Sequence, residues 1–207
     1  MGLYGPANGV NLETSHLDRI RCTIADWRLS RDGGLCSHAR ALQEKLGGIN
    51  LECHVQEYNG AHWVTLSGVI NEDAEIPLKD VAQNLENATM VIFNFKNVKT
   101  VNSLGVRAWV TFLRTVENVP GRVVYFAECI PDIIMQINMI PSFLGRASIL
   151  SFYVNYVSPS TNKTHRVLIE TKDLQPQTIP TPPNCPDTGS PMETEELEEE
   201  YFAFLMR

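Results

Sequence analysis

Met90–Val116, MVIFNFKNVKTVNSLGVRAWVTFLRTV, decides the fold. Its first residues, Met90-Val91-Ile92-Phe93 and then Phe95, form a nearly continuous apolar run. The run is too short for a helix and rich in β-branched and aromatic side chains. It is expected to be a strand buried on both faces, as in a parallel sheet covered by helices. A polar segment, Lys96–Asn102, follows it, and Ser103 stands directly before a helical pattern. Val106, Trp109, Val110, Leu113 and Val116 recur at spacings of three and four, so one face packs on the sheet. Arg107, Thr111, Arg114 and Thr115 take the other face. Ser103 is therefore expected to cap a helix at the C-terminal end of a central strand, where open α/β sheets place their working residues.

On the N-terminal side, Leu51–Tyr58 and His62–Val69 are strand-like runs separated by Asn59-Gly60, a strong hairpin signal. Asn71-Glu72-Asp73 releases the chain from the second strand, and Pro77 suits the first turn of a helix. Ile76, Leu78, Val81 and Leu85 give that helix an apolar face, up to about Asn87. On the C-terminal side, Pro120-Gly121 turns into a strand over Arg122–Ala127. Pro131 opens a helix through about Asn138, with Ile130, Ile133, Ile134 and Ile137 apolar, and Ile149–Val157 reads as one more strand. The order is β-β-α-β-α-β-α-β. An antiparallel hairpin feeding a largely parallel sheet with right-handed crossover helices is the economical arrangement, an α/β fold.

Composition narrows the function classes. The chain has 207 residues, a hydrophobic fraction of 43% and a net charge of -7. That balance argues against general nucleic-acid binding, which needs a basic face for the phosphates. No apolar run approaches the ~20 residues of a membrane span. The start, MGLYGPANGVNLETSH, lacks the pattern of a signal peptide, so a cytoplasmic protein is expected. Cys22, Cys36, Cys53, Cys129 and Cys185 are odd in number, scattered and without a Cys-x-x-Cys pair, which argues against a disulfide framework. No Gly-rich phosphate loop, Gly-x-Ser-x-Gly elbow or His-x-x-x-His pair points to an enzyme.

The element order, with Leu66-Ser67-Gly68-Val69-Ile70-Asn71 closing the second strand and Asn102-Ser103-Leu104-Gly105-Val106 opening the helix, resembles a STAS domain. That module is shared by sulfate transporters and bacterial anti-sigma factor antagonists. The resemblance spans about Leu51–Tyr153, half of the chain, so the STAS-like mixed, largely parallel sheet is placed at 49–153. The family's switch motif is Asp-Ser-Ser-Gly-Leu/Val, and Ser103 falls on the serine that an anti-sigma factor kinase phosphorylates. Asn102 replaces the acidic residue and Leu104 the small hydroxyl residue. The resemblance implies a cytoplasmic, non-enzymatic signalling protein without cofactor. Its partner would be an anti-sigma factor or related ATP-dependent serine kinase, gripped through Asn71, Asn102, Ser103, Leu104, Gly105 and Arg107 and controlled by phosphate on Ser103. The two departures also suit a binding scaffold or subunit of a larger sensory assembly without phosphorylation.

The flanks carry less information. Residues 1–48 hold a short amphipathic pattern (Leu17, Ile20, Ile24, Trp27) and a second short helix over Ala39–Leu46, too little to form a core of their own. Residues 154–207 are expected to form a small β-rich extension, with strands over Ser151–Val157 and His165–Thr171 and a Pro-rich linker from Gln175 to Pro183. Ser158-Pro159-Ser160-Thr161 and Cys185-Pro186-Asp187-Thr188 share the cadence of zinc-ribbon knuckles, Cys-Pro-x-Cys, with all but one thiol missing. The extension therefore resembles a zinc ribbon that has lost its ligands. A tetrahedral thiolate site needs two such pairs, and His165 is not spaced to replace them, so no stoichiometric zinc or other bound metal is expected. Met192–Leu205, METEELEEEYFAFL, is expected to be an acidic helix with Leu197, Tyr201, Phe204 and Leu205 on one face, packed back on the body of the protein.

Overall fold

Two residues turn the first hairpin. Asn59 (φ 50°) and Gly60 (φ 76°) both lie in the left-handed region, which a two-residue hairpin loop matched to strand twist requires. They join β1 (Glu52–Tyr58) to β2 (Ala61–Ile70) in antiparallel register. The computed structural model describes residues 50–206. The expectations for residues 1–48, including the two short helices, Cys22 and Cys36, lie outside the described residues.

From β2 the chain runs through α1 (Glu75–Asn84) to β3 (Met90–Val101), then α2 (Ser103–Glu117) and β4 (Val123–Ala127). Next come α3 (Pro131–Met139), the single turn α4 (Pro141–Leu144) and the short β5 (Ser148–Ile149). The sheet order is β1-β2-β3-β4-β5, with every pair after the hairpin parallel. The mixed, largely parallel α/β sheet read from the sequence is thus the fold. Ile92 and Phe93, adjacent on β3, are both fully buried, so the strand is covered on both faces. Phe93 and Phe95 turn toward α2, where Phe93 meets Trp109 edge-on at 5.2 Å and Phe95 meets it at 5.3 Å. The Trp109 indole N–H donates to the Phe143 carbonyl at 2.9 Å, which satisfies the polar end of a buried ring.

Four details depart from the sequence expectations. β3 does not stop at Phe95 but continues through the polar segment to Val101. β2 runs equally far and holds it by parallel pairing from Thr65↔Asn94 to Ile70↔Val101, across two register shifts. Gly68, at φ +97°, sits at one of them. Ile76 is 73% exposed; the buried face of α1 is carried by Leu78 and Val81, followed by Leu85. The expected strand over 149–157 is two strands, separated at Leu150. Its N–H donates to Phe126 in the first sheet (2.7 Å), whereas its carbonyl accepts from the Thr171 N–H (3.0 Å). β6 (Ser151–Val157) then belongs to a second sheet, in the order β7-β6-β8, with β7 (Thr164–Glu170) and β8 (Glu193–Thr194) both antiparallel to it.

The last correction concerns the tail. It forms only a helical turn, α5 (Glu198–Tyr201), followed by a 3-10 segment over Phe202–Met206. Leu197 is 71% exposed, while the neighbours Tyr201 and Phe202 are both buried. The tail does pack back on the protein. The Tyr201 hydroxyl donates to the Tyr153 carbonyl, and the Asn138 side-chain amide donates to the Glu200 and Tyr201 carbonyls at 2.8 and 2.9 Å. Phe93 and Trp109 of the first sheet's core and Phe152, Tyr156, Met192, Tyr201 and Phe202 of the extension belong to one continuous apolar cluster. The described residues, 50–206, accordingly belong to one compact unit.

Candidate functional site

The mouth of α2 is built by Asn102, not by Ser103. Asn102 keeps the extended conformation of the preceding strand (φ -97°, ψ 171°), and its side-chain oxygen accepts the Gly105 N–H at 2.8 Å. It is therefore the N-cap, satisfying one of the free donors of the first turn. Ser103, expected to be that cap, is the first helical residue, and its hydroxyl is free to face solvent. The strand reaching to Val101 explains the shift: only the residue that leaves the strand still extended can cap.

The amide of Asn102 also donates to the Glu72 carboxylate at 3.0 Å, thirty positions away in sequence. That hydrogen bond is the main reason Glu72 titrates below the usual glutamate range. Glu72 opens the 3-10 turn Glu72–Ala74, which is capped by Asn71 accepting from the Asp73 N–H at 3.1 Å. A carboxylate is thus present at the mouth of α2 although position 102 is neutral.

Of the six residues expected to grip a partner, the structure brings Asn102, Ser103, Leu104 and Arg107 together on an exposed surface. Leu104 is 54% exposed, high for a large apolar side chain in the first turn of a helix. Gly105 and Asn71 do not join them. Gly105 is buried, and a Cβ there would lie 1.9 Å from the Ile70 carbonyl oxygen, so glycine at 105 permits α2 to lie against the end of β2. Asn71 is 8% exposed and is used by its own turn. Beside the mouth, a groove of about 540 Å³ runs between α1 and α2. Leu78, Ala82, Ala108 and Phe112 give it an apolar floor; Glu72, Glu75, Lys79 and Arg107 give it a charged rim. Sequence periodicity could not show this groove, because it depends on how far apart the two helices lie.

The two knuckle-like turns of the extension also meet. Thr161 and Asn162 donate backbone N–H groups to the Ser158 carbonyl, and Gly189 donates to the Cys185 carbonyl. The Ser160 hydroxyl donates to that of Thr188 across the gap at 3.3 Å, and Lys163 pairs with Asp187 at 3.0 Å. Cys185 is buried between them. The Ser158 hydroxyl, then the Thr188 hydroxyl and the backbone N–H groups of Asp187 and Thr188, stabilise its thiolate and lower it to about 6, against the opposing effect of burial. His165, whose spacing in the chain set it apart from the cysteine, lies with Nε2 3.8 Å from the Cys185 sulfur. Pairing of β7 with β6 places it there, opposite Tyr156. Cys129 and Cys53 behave as apolar residues instead: burial pushes both thiols up, Cys53 to about 12.

No helix among the described residues is long and apolar enough to cross a membrane. No protein-family model and no curated protein matches the chain. Among solved structures, it is similar to an anti-sigma factor antagonist from Mycobacterium paratuberculosis, with a TM-score of 0.42 and 14% identity over 48% of this chain and 86% of that one. It is also similar to the anti-sigma factor antagonist SpoIIAA in its unphosphorylated form, with a TM-score of 0.38 and 16% identity over 47% of this chain and 87% of that one. It is similar as well to a structure of Mglu, with a TM-score of 0.34 and 21% identity over 42% of this chain and 24% of that one.

Proposed function

We propose that the chain is a non-catalytic, cytoplasmic signalling module of the STAS type that captures an anti-sigma factor or related ATP-dependent serine kinase over the mouth of α2. Ser103 is the residue the kinase modifies. The observation that supports this best is the placement of an exposed serine and an exposed leucine, Ser103 and Leu104, at the first turn of α2 beside an open groove with an apolar floor. Apolar contact supplies the grip, and the charged rim sets the orientation of the partner.

Phosphate on Ser103 would add ~1.5 to 2 negative charges. The free N–H groups and dipole of the first turn tolerate anions, so the fold survives the change. Glu72, held at the mouth by Asn102, adds to the negative field. A partner surface laid over the mouth would then meet a desolvated anion and be expelled. Recovery of partners from native lysate with wild type, Ser103→Ala and Ser103→Asp tests the switch, with phosphate on Ser103 sought by mass spectrometry. The Ala form should retain the kinase and the Asp form should release it.

A second reading, a binding scaffold or subunit of a larger sensory assembly without phosphorylation, draws on Glu72. Its carboxylate already charges the mouth, and Leu104 enlarges the apolar contact where the family pattern has a small hydroxyl residue. On that reading the Ala and Asp forms recover the same partners equally. In both, the extension is a ribbon-like appendage without the four-thiolate site of a zinc ribbon, since Ser158, Thr161 and Thr188 supply hydroxyls where thiolates would stand.

A further inference from the structure

Away from the mouth of α2, one group of side chains among the described residues offers three metal-binding atoms at once. The Cys185 sulfur, an imidazole nitrogen of His165 and a carboxylate oxygen of Asp187 all lie within 4.8 Å of one another. A tetrahedral zinc-class ion holds sulfur at ~2.3 Å and nitrogen or oxygen at ~2.0 to 2.2 Å, which sets its ligand atoms about 3.5 Å apart. The sulfur–nitrogen distance is 3.8 Å before any ion enters. The three come from parts of the chain that the fold fixes independently. His165 is anchored by β7, and Cys185 and Asp187 by the turn whose ends are tied by Cys185 N–H to the Ser190 carbonyl at 2.8 Å.

We infer that Cys185, His165 and Asp187 form a binding site for one borderline-soft divalent cation of the zinc class. The ion does not occupy the centre of the four knuckle positions, where three of the four side chains are neutral hydroxyls. It lies to the side, between the second turn and β7. One thiolate, one imidazole and one carboxylate select the zinc class over calcium and magnesium, which take oxygen ligands alone. Three protein ligands leave a fourth position to water, the coordination of an open, exchangeable site rather than a closed structural one. Cys185 holds the ion from the buried side and Asp187 from the exposed side. Asp187 must give up Lys163, its ion-pair partner at 3.0 Å, in doing so. Lys163 therefore competes with the cation.

The test uses the full chain after chelator treatment, titrated with zinc by calorimetry and with cobalt(II) by absorption. Wild type should bind one equivalent, and the cobalt form should show thiolate-to-metal charge transfer. Cys185→Ala should abolish the charge-transfer band. His165→Gln and Asp187→Asn should weaken binding at least about tenfold to a hundredfold, the range already seen for outer-sphere partners of a metal site. Asp187 is exposed, so its variant keeps the test valid if the cysteine variant does not fold. Lys163→Met should tighten binding, an effect that a merely structural ion pair would not produce. Absence of saturable binding to wild type overturns the site, as does binding that Cys185→Ala and Asp187→Asn leave unchanged. Neither result bears on Ser103, so the proposal stands or falls separately from the partner switch.

Discussion

The side-chain amide of Asn102 spans two loops: its oxygen caps α2 and its nitrogen holds the Glu72 carboxylate at 3.0 Å. An aspartate could do the first but not the second. The neutral residue at 102 and the acid at 72 thus work as a pair, and restoring an acid at 102 would set two carboxylates against each other.

Asn102→Asp should therefore be less stable than wild type near neutral pH, although Asp is as good an N-cap as Asn. The sign follows from Glu72, whose folded-state pKa is lowered mainly by the Asn102 hydrogen bond. A lowered carboxylate contributes stability above its ordinary pKa and loses it as pH falls through the folded value. Replacing the donor by a second anion removes that contribution and adds repulsion. Denaturant melts should show the gap between wild type and variant closing as pH is lowered through the carboxylate range. A gap that stays constant with pH would rule the pair out.

The cap and the exposed serine should separate cleanly. Asn102→Ala should cost ~1 kcal/mol, the usual value of an N-cap. Ser103→Ala, at the first helical position, should lie within about 0.5 kcal/mol of wild type. Equal losses in chemical denaturation would mean that Ser103 shares the capping role.

Gly105→Ala is expected to destabilise even though alanine favours helices by ~1 kcal/mol over glycine. The added carbon would meet the Ile70 carbonyl oxygen at 1.9 Å, so α2 must move off the end of β2. Overpacking of this kind costs typically ~1 to 3 kcal/mol. A melting temperature at or above that of wild type would show that the contact can relax.

Large-to-small changes should be as costly in the tail as in the sheet. Phe93→Ala on β3 and Tyr201→Ala in α5 both empty fully buried space, for which ~3 to 5 kcal/mol is usual. Tyr201→Phe should cost only ~1 kcal/mol, because it removes one hydrogen bond to the Tyr153 carbonyl. Urea melts of the three variants decide it. A Tyr201→Ala variant as stable as wild type would mean that the tail is an ornament on the core.

Local pattern carried most of the fold. Asn59-Gly60, the apolar run at 90–95 and the three-and-four spacing of Val106, Trp109, Leu113 and Val116 each specify an element within its own window. What pattern missed was set by distant pairing. β3 reaches Val101 because β2 reaches Ile70, and that added length moves the cap from Ser103 to Asn102. Both residues are good caps, so composition alone could not choose between them. The approach of Glu72 to Asn102, and of His165 to Cys185, leaves no local trace at all. In the tail, the heavy run of glutamates resembles a helix, but only Glu198–Tyr201 forms an α turn before the 3-10 segment.

The tail's seat in the core also sets a schedule for biosynthesis. Phe152 is fully buried and lies 6.3 Å from Phe202, centroid to centroid. About fifty residues separate the two along the chain, or roughly 3 to 10 s of translation. During that interval the ring of Phe152 and the apolar side of α3 are without one of the partners they have in the folded protein. A nascent chain halted just before Tyr201 would carry that apolar surface uncovered, a ready substrate for chaperones and for degradation. Burial of Phe152 is therefore completed only by a segment made about fifty residues later.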